Sequence, residues 1–219
     1  LEDKRLVVLG AHTGCVSVPM LLRWSADADY TTFTAGPTVA AGSKRFTIGN
    51  ELLCRVKVAG GNLIHSDAYC WKMVSIGPPF QYSFDPIGDN GGLMGPNAAV
   101  DVDGRAYWMG DNNFYVYDGA ISVLPCDVWP TVFENINRAQ KFKIYAGFNK
   151  VQREVWWLYP SDATEECDRY VLYSVDERVW SFGTIARTAY LGDSKLFSGP
   201  FAASTNGYLY DHEFGTDDD

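Results

Sequence analysis

The sequence predicts an all-β protein made of β-propeller-like blades, each of about four antiparallel strands, with one short inserted helix. Three observations predict it. Short alternating or aromatic segments recur between Gly, Asn and Asp turn signals. The segments that open each group start at 6, 52, 98 and 144, a constant step of 46 residues. Aromatic residues make up 15% of the 219-residue chain, and Trp108, Trp156, Trp157 and Trp180 fall inside strand segments, where a broad ring suits a half-buried pleat.

Taken in order, Leu6-Val7-Val8-Leu9 ends at Gly10. Leu52-Leu53-Cys54-Arg55-Val56-Lys57-Val58 alternates and ends at Gly60-Gly61. Strands are expected next over 62–66, 69–76 and 80–84. Ala98-Ala99-Val100-Asp101-Val102 ends at Asp103-Gly104, a two-residue hairpin signal. It is followed by 105–110, by Phe114-Tyr115-Val116-Tyr117 after the Asn112-Asn113 turn, and by 120–124 after Asp118-Gly119. Ile144-Tyr145-Ala146-Gly147-Phe148 opens the next group, with strands over 154–159, 169–174 and 179–184. A fifth group is set near 200, at Phe201-Ala202-Ala203, which ends at Asn206-Gly207.

A repeat of roughly 40–50 residues with four antiparallel strands has the size of a propeller blade. Residues 1–219 are therefore read as a single β-propeller, or part of one, with blades starting near 6, 52, 98, 144 and 200. A plain β-sandwich is the rival, but it has no reason to keep a 46-residue step. The stretch 127–142 breaks the pattern. Val132, Phe133, Ile136 and Ala139 stand at helical spacing behind Pro130, which predicts a short helix near 130–141 that caps the core. Docking of a neighbouring subunit is its second reading.

Composition excludes several classes. The chain is 47% hydrophobic, so it is not disordered. Its longest apolar runs are a few residues, whereas a membrane-spanning helix needs about 20. The net charge is −9, from 27 acidic and 18 basic residues. Such a surface repels phosphate over about 8 Å at physiological salt, so direct nucleic-acid binding is not expected. Five cysteines, Cys15, Cys54, Cys70, Cys126 and Cys167, stand widely apart with no Cys-x-x-Cys and only three histidines. They read as buried thiols in a reducing compartment, not as a zinc site. The chain opens on Leu1 and closes on acidic residues, and both ends are read as cuts in a longer chain.

No chemistry is picked out. Asp27 and Asp29 are too few for calcium, which needs six to eight oxygens, and they read as a turn. Asp101 and Asp103 read as braces of a hairpin. Acids that could pair for glycoside hydrolysis abound (Asp85, Asp89, Glu134, Glu154, Glu213), and nothing selects two of them. Arg138, Arg153, Arg169, Arg178 and Arg187 carry no spacing that would make a sialidase-like cluster. His212-Glu213 lacks the second histidine of a zinc-protease motif, because Thr216 stands there. Residues 88–95 are Gly-rich but lack the Lys-Ser/Thr of a phosphate loop. No catalytic residue, cofactor or metal is expected, and the chain is not read as an enzyme.

The phrases "LLRWSADADYTTF", "AAVDVDGRAYWMGDNNFYVYDGAISVLPC", "WPTVFENINRAQ", "REVWWLYPS", "DRYVLYSVDERVWSFGTIART" and "GYLYDHEFG", in this order, resemble the propeller-bearing tail proteins of short-tailed bacteriophages. These are the tail tubular B or nozzle proteins and the packaged-DNA stabilisation proteins. The resemblance runs from about residue 18 to 215. It implies a structural protein of the virion tail, assembled in the host cytoplasm. Six copies would form a ring that extends the DNA channel and holds the genome until ejection. The ring would join tail adaptor or tube proteins and carry fibres or spikes, and DNA would pass through without specific binding. Family members are several times longer. Two other classes stay open: a secreted propeller that binds or cuts carbohydrate, and an intracellular protein-interaction propeller.

Overall fold

The computed structural model describes residues 4–13, 16–36, 39–88, 91–192 and 199–212. The chain divides into two compact units, 1–93 and 94–219. Both are all-β, and their sheets are antiparallel meanders in which strands follow one another in chain order.

In the first unit, β1 (Val7–Leu9) leads through a two-stranded ribbon, β2 (His12–Thr13) and β3 (Val16–Ser17), to β4 (Leu21–Trp24) and β5 (Gly42–Arg45). The sheet order is β1-β4-β5, three strands. The second sheet has four: β6 (Leu52–Val58), β7 (Gly61–Ser66), β8 (Cys70–Gly77) and β9 (Gln81–Gly88). Side chains of β4, β6, β7 and β8 meet in one core of Leu22, Trp24, Leu52, Ile64, Trp71 and Met73, with Phe46 and Tyr82. Trp24 and Tyr82 pack edge to face at 5.2 Å, and Phe46 lies 4.4 Å from Trp71. Gly42 is required opposite Trp24, since a Cβ there would fall 2.4 Å from the indole.

The second unit opens with the sheet of β10 (Ala99–Val102), β11 (Arg105–Met109), β12 (Phe114–Tyr117) and β13 (Ile121–Leu124). Asp103 and Gly104 have φ of 52° and 84°, the left-handed pair that a tight hairpin turn demands and that Asp-Gly supplies. Next comes the sheet of β14 (Tyr145–Asn149), β15 (Glu154–Tyr159), β16 (Arg169–Ser174) and β17 (Trp180–Thr184). Among the described residues the last sheet has three strands, β18 (Ala189–Leu191), β19 (Phe201–Ala203) and β20 (Leu209–Asp211). The segment expected to open a fifth group, Phe201–Ala203, is thus the second strand of its sheet. Ala189–Leu191 opens it, close to one further 46-residue step. A run of only three residues gave that strand little voice in the sequence.

Aromatic rings fill the space between these sheets. Trp157 is fully buried and donates its indole N–H to the Ala98 carbonyl at 3.1 Å. Phe114 stands 4.7 Å from Trp157 and 4.6 Å from Trp180. On the opposite face of β15, Trp156 stacks on Tyr170 and Tyr190 at 4.7 and 5.6 Å. Each ring of this size removes about 150–250 Å² from water, worth roughly 4–6 kcal/mol against a fully extended chain.

The expected helix is shorter and broken. Helix α1 covers Trp129–Phe133 with Pro130 in its first turn, and a 3-10 helix covers Arg138–Lys143. Between them Ile136 forms an antiparallel bridge with Ser161, and Asn137 N–H donates to the Pro160 carbonyl. That pairing takes the backbone groups a continuous helix would use, and Asn135 and Asn137 have little helical preference to resist it. Val132, Phe133 and Ile136 are buried as the spacing predicts, while Ala139 is exposed.

Candidate functional site

The sequence-derived candidates are dispersed, and two of them brace turns. Asp29 accepts from Thr31 N–H, Thr31 Oγ1 and Thr32 N–H, bonds that hold its carboxyl below the ordinary range. Asp101 accepts from Gly104 N–H at 2.9 Å across the hairpin turn. Asp85 accepts from Ser83 Oγ, and Glu154 accepts from the Trp156 indole. Glu134 caps the end of α1. Asp89, Glu213 and Cys15 lie outside the described residues, as does part of 88–95.

The arginines do not converge. Arg138 bonds Asp111 and Asn112, Arg169 lies 3.9 Å from Asp168, and Arg178 donates its backbone N–H to Ser174 O. Arg187 stacks 3.6 Å from the centre of the Tyr210 ring and donates to His212 Nε2 at 3.4 Å. Burial and the Arg187 charge hold His212 below the ordinary imidazole value. Arg153 forms a junction between turns. Its guanidinium bonds Asp103 and Asp176, both at 2.9 Å, and so ties the β10–β11 turn to the β16–β17 turn. Nothing in the spacing of these three residues announces the triad.

Among the described residues no group of three or more His, Cys, Asp or Glu is placed to hold a metal ion. No helix there is long and apolar enough to cross a membrane. Burial pushes the thiols of Cys54 and Cys126 up to about 11 and Cys167 to about 12, so none of these is a ready nucleophile. One feature without a sequence signal is buried His65 on β7. Its Nδ1 lies 3.2 Å from the Gly91 carbonyl, and Cys70 Sγ lies 3.8 Å from Nε2. Burial drives its pKa from the ordinary 6.5 down to about 4.

A set of long-range polar contacts belongs to the inserted segment 125–144. Trp129 Nε1 donates to Asn112 O, and Arg138 to Asp111 and Asn112, on the loop that joins β11 to β12. Asn137 Nδ2 donates to Thr164 O at 2.7 Å, and Lys143 Nζ to Glu165 O and Glu166. Cys167 Sγ donates to Lys143 O at 3.3 Å. Trp180 Nε1, on β17, donates to Pro125 O at 2.7 Å. Asp168 closes the 161–168 loop by accepting from Ser161 N–H and Oγ and from Thr164 Oγ1. The insertion therefore stitches one four-stranded sheet to the next. It offers a braced surface, with Phe142 55% exposed at its end.

No protein-family model matches this chain. No curated protein matches it. Solved structures with some likeness include the 2S albumin seed protein from Dolichos, at 9% identity over 70% of this chain and 83% of that one, with a TM-score of 0.33. Another is the hemopexin fold protein CP4 from cow pea, at 9% identity, 70% and 82% coverage and a TM-score of 0.34. A plant lectin with two metal binding sites from Cicer arietinum shows 7% identity, 78% and 90% coverage and a TM-score of 0.34. Likeness this slight carries no argument about this chain.

Proposed function

We propose that the chain is a structural virion protein, a region of the tail nozzle or tail tube of a short-tailed bacteriophage. There it forms part of the conduit that retains packaged DNA and lets it pass at ejection. The observation that carries the reading is the inserted segment 125–144, whose polar groups join neighbouring sheets. This is the segment in which the ordered phrases resembling the tail proteins place their short helix after "LPC". A conduit wall must keep its shape under load, and cross-braced sheets with aromatic packing suit that demand. The acidic balance of −9 suits it too, because a wall that repels phosphate does not hold the DNA it guides.

The test is negative-stain electron microscopy with mass measurement on the protein at its natural length. The expected result is a six-fold ring with a central hole wide enough for duplex DNA, alone or on addition of tail adaptor proteins. A monomer that stays monomeric with those proteins present, and gives a reproducible hit on a glycan array, would overturn the reading in favour of a carbohydrate-binding propeller.

A further inference from the structure

The β8–β9 hairpin outruns its own sheet. Strand β7 pairs with β8 from His65↔Cys70 to Asn62↔Met73. Beyond Met73, β8 pairs only with β9, at Val74↔Ser83, Ser75↔Tyr82 and Gly77↔Gln81. Tyr82 is buried and packs edge to face on Trp24, so the base of this arm is braced. Past that brace the tip stands in solvent. Ile76, Pro78, Pro79 and Phe80 are all exposed. Phe80 is 74% exposed and Ile76 53%. A Cβ added to Gly77 would meet no atom within 4 Å.

The chemistry of the tip is that of an apolar medium. No charged residue stands between Lys72 and Asp85, in a chain with 21% charged residues. The backbone is prepared in the same sense. Pro78 and Pro79 carry no N–H, and Tyr82 N–H donates to Phe80 O at 2.8 Å. Each donor removed or satisfied lowers the cost of leaving water. The geometry also says what covers the tip. Its few apolar side chains bury no more than roughly a few hundred Å², short of the roughly 800 Å² per partner that a stable protein contact takes. A convex tip enters a lipid surface without any complementary socket. The net charge of −9 disfavours a second copy of this chain and an anionic lipid surface alike.

We propose that the β8–β9 tip, Ile76 to Phe80, inserts into the interface of a zwitterionic lipid bilayer. Phe80 and Ile76 are the anchors, the prolines keep unpaired donors out of the lipid, and the sheet below stays in water. This anchor lies on the surface of the bilayer and does not span it. The inference goes beyond the tail reading and stands without it.

The test is flotation of the chain with phosphatidylcholine vesicles at millimolar lipid, with far-UV circular dichroism as the folding control. The wild-type chain is expected to float with the vesicles. Mixing in phosphatidylserine should lower the bound fraction at low salt, and added salt should restore it. Phe80→Ser and Ile76→Ser should each lower the partition coefficient roughly tenfold. Phe80→Trp should retain binding, since Trp suits the interface. Val151→Ser removes an equally exposed apolar side chain from another turn and should change nothing. A wild-type chain that does not float would overturn the proposal. So would flotation that the double variant Ile76→Ser/Phe80→Ser leaves intact. Self-association in sedimentation that the double variant abolishes, without flotation, would overturn it in favour of a contact between copies. The microscopy above tests the tail reading separately from each of these results.

Discussion

At the scale of single residues, His65 couples the stability of the first unit to pH. Its ring is buried, with Nδ1 3.2 Å from Gly91 O and Nε2 3.8 Å from Cys70 Sγ, and burial disfavours its charged form. The folded pKa of about 4 lies below the ordinary 6.5. In that window the unfolded chain takes up a proton that the folded chain refuses. Stability is therefore full above pH 6.5, falls as pH drops toward 4, and levels off below it. The shift corresponds to on the order of 3 kcal/mol. Denaturant unfolding of the wild type should show this slope, and His65→Gln should flatten it; an unchanged slope would remove His65 as the cause. Asp67 and Asp168 act lower on the scale. Partial burial opposes their ionisation, but hydrogen bonds from Asn50 and Glu51, and from Ser161 and Thr164, outweigh it. Their contribution is lost only as pH falls through and below the ordinary value of 3.8.

Gly92 is a second residue-scale case. A Cβ there would lie 2.4 Å from Asp67 O and 2.9 Å from Ala68 Cα, both backbone atoms that cannot swing aside. Gly92→Ala should cost about 1–3 kcal/mol through overpacking. Gly119, at φ 87° in open space, provides the contrast. Gly119→Ala should cost about 1–2 kcal/mol from backbone strain alone, with no displaced neighbour. Urea midpoints of the two variants, read with a crystal structure of each, separate clash from strain.

At the scale of elements, the inserted segment is the informative one. Its helical spacing was legible, because Val132, Phe133 and Ile136 recur on one face. Its break was not, because the competing bridge to Ser161 comes from a loop far along the chain. Trp180→Phe tests the stitching. It keeps most of the ring packing against Phe114 and Tyr173 but removes the donor to Pro125 O. The loss of one such bond costs about 1 kcal/mol and should lower the melting temperature by about 2–4 °C. An unchanged melting temperature would show that the indole bond does not hold the insertion. The fifth sheet teaches the same lesson in reverse. Ala189–Leu191 is too short to register as a strand, yet Tyr190 is buried on Trp156 and Gly147 has no Cβ to obstruct it.

At the scale of the molecule, net charge bears on the proposed assembly. A net charge of −9 disfavours nonspecific association between copies, so the proposed ring would have to rest on specific contacts. The six-fold ring sought by microscopy is the prediction at this scale.

By itself the sequence determined the class and most of the strands. Turn signals such as Asp103-Gly104 and the alternation of 52–58 are local, and local backbone preference together with side-chain period is enough to place them. It also determined the 46-residue step, since each unit repeats the same short-range chemistry. Tertiary structure alone decided which polar groups meet. Arg153 reaches Asp103 across 50 positions of chain, and Trp180 reaches Pro125 across 55. It alone decided that His65 is sealed from water. Those outcomes depend on distances between segments remote in sequence, which packing sets and no local pattern encodes.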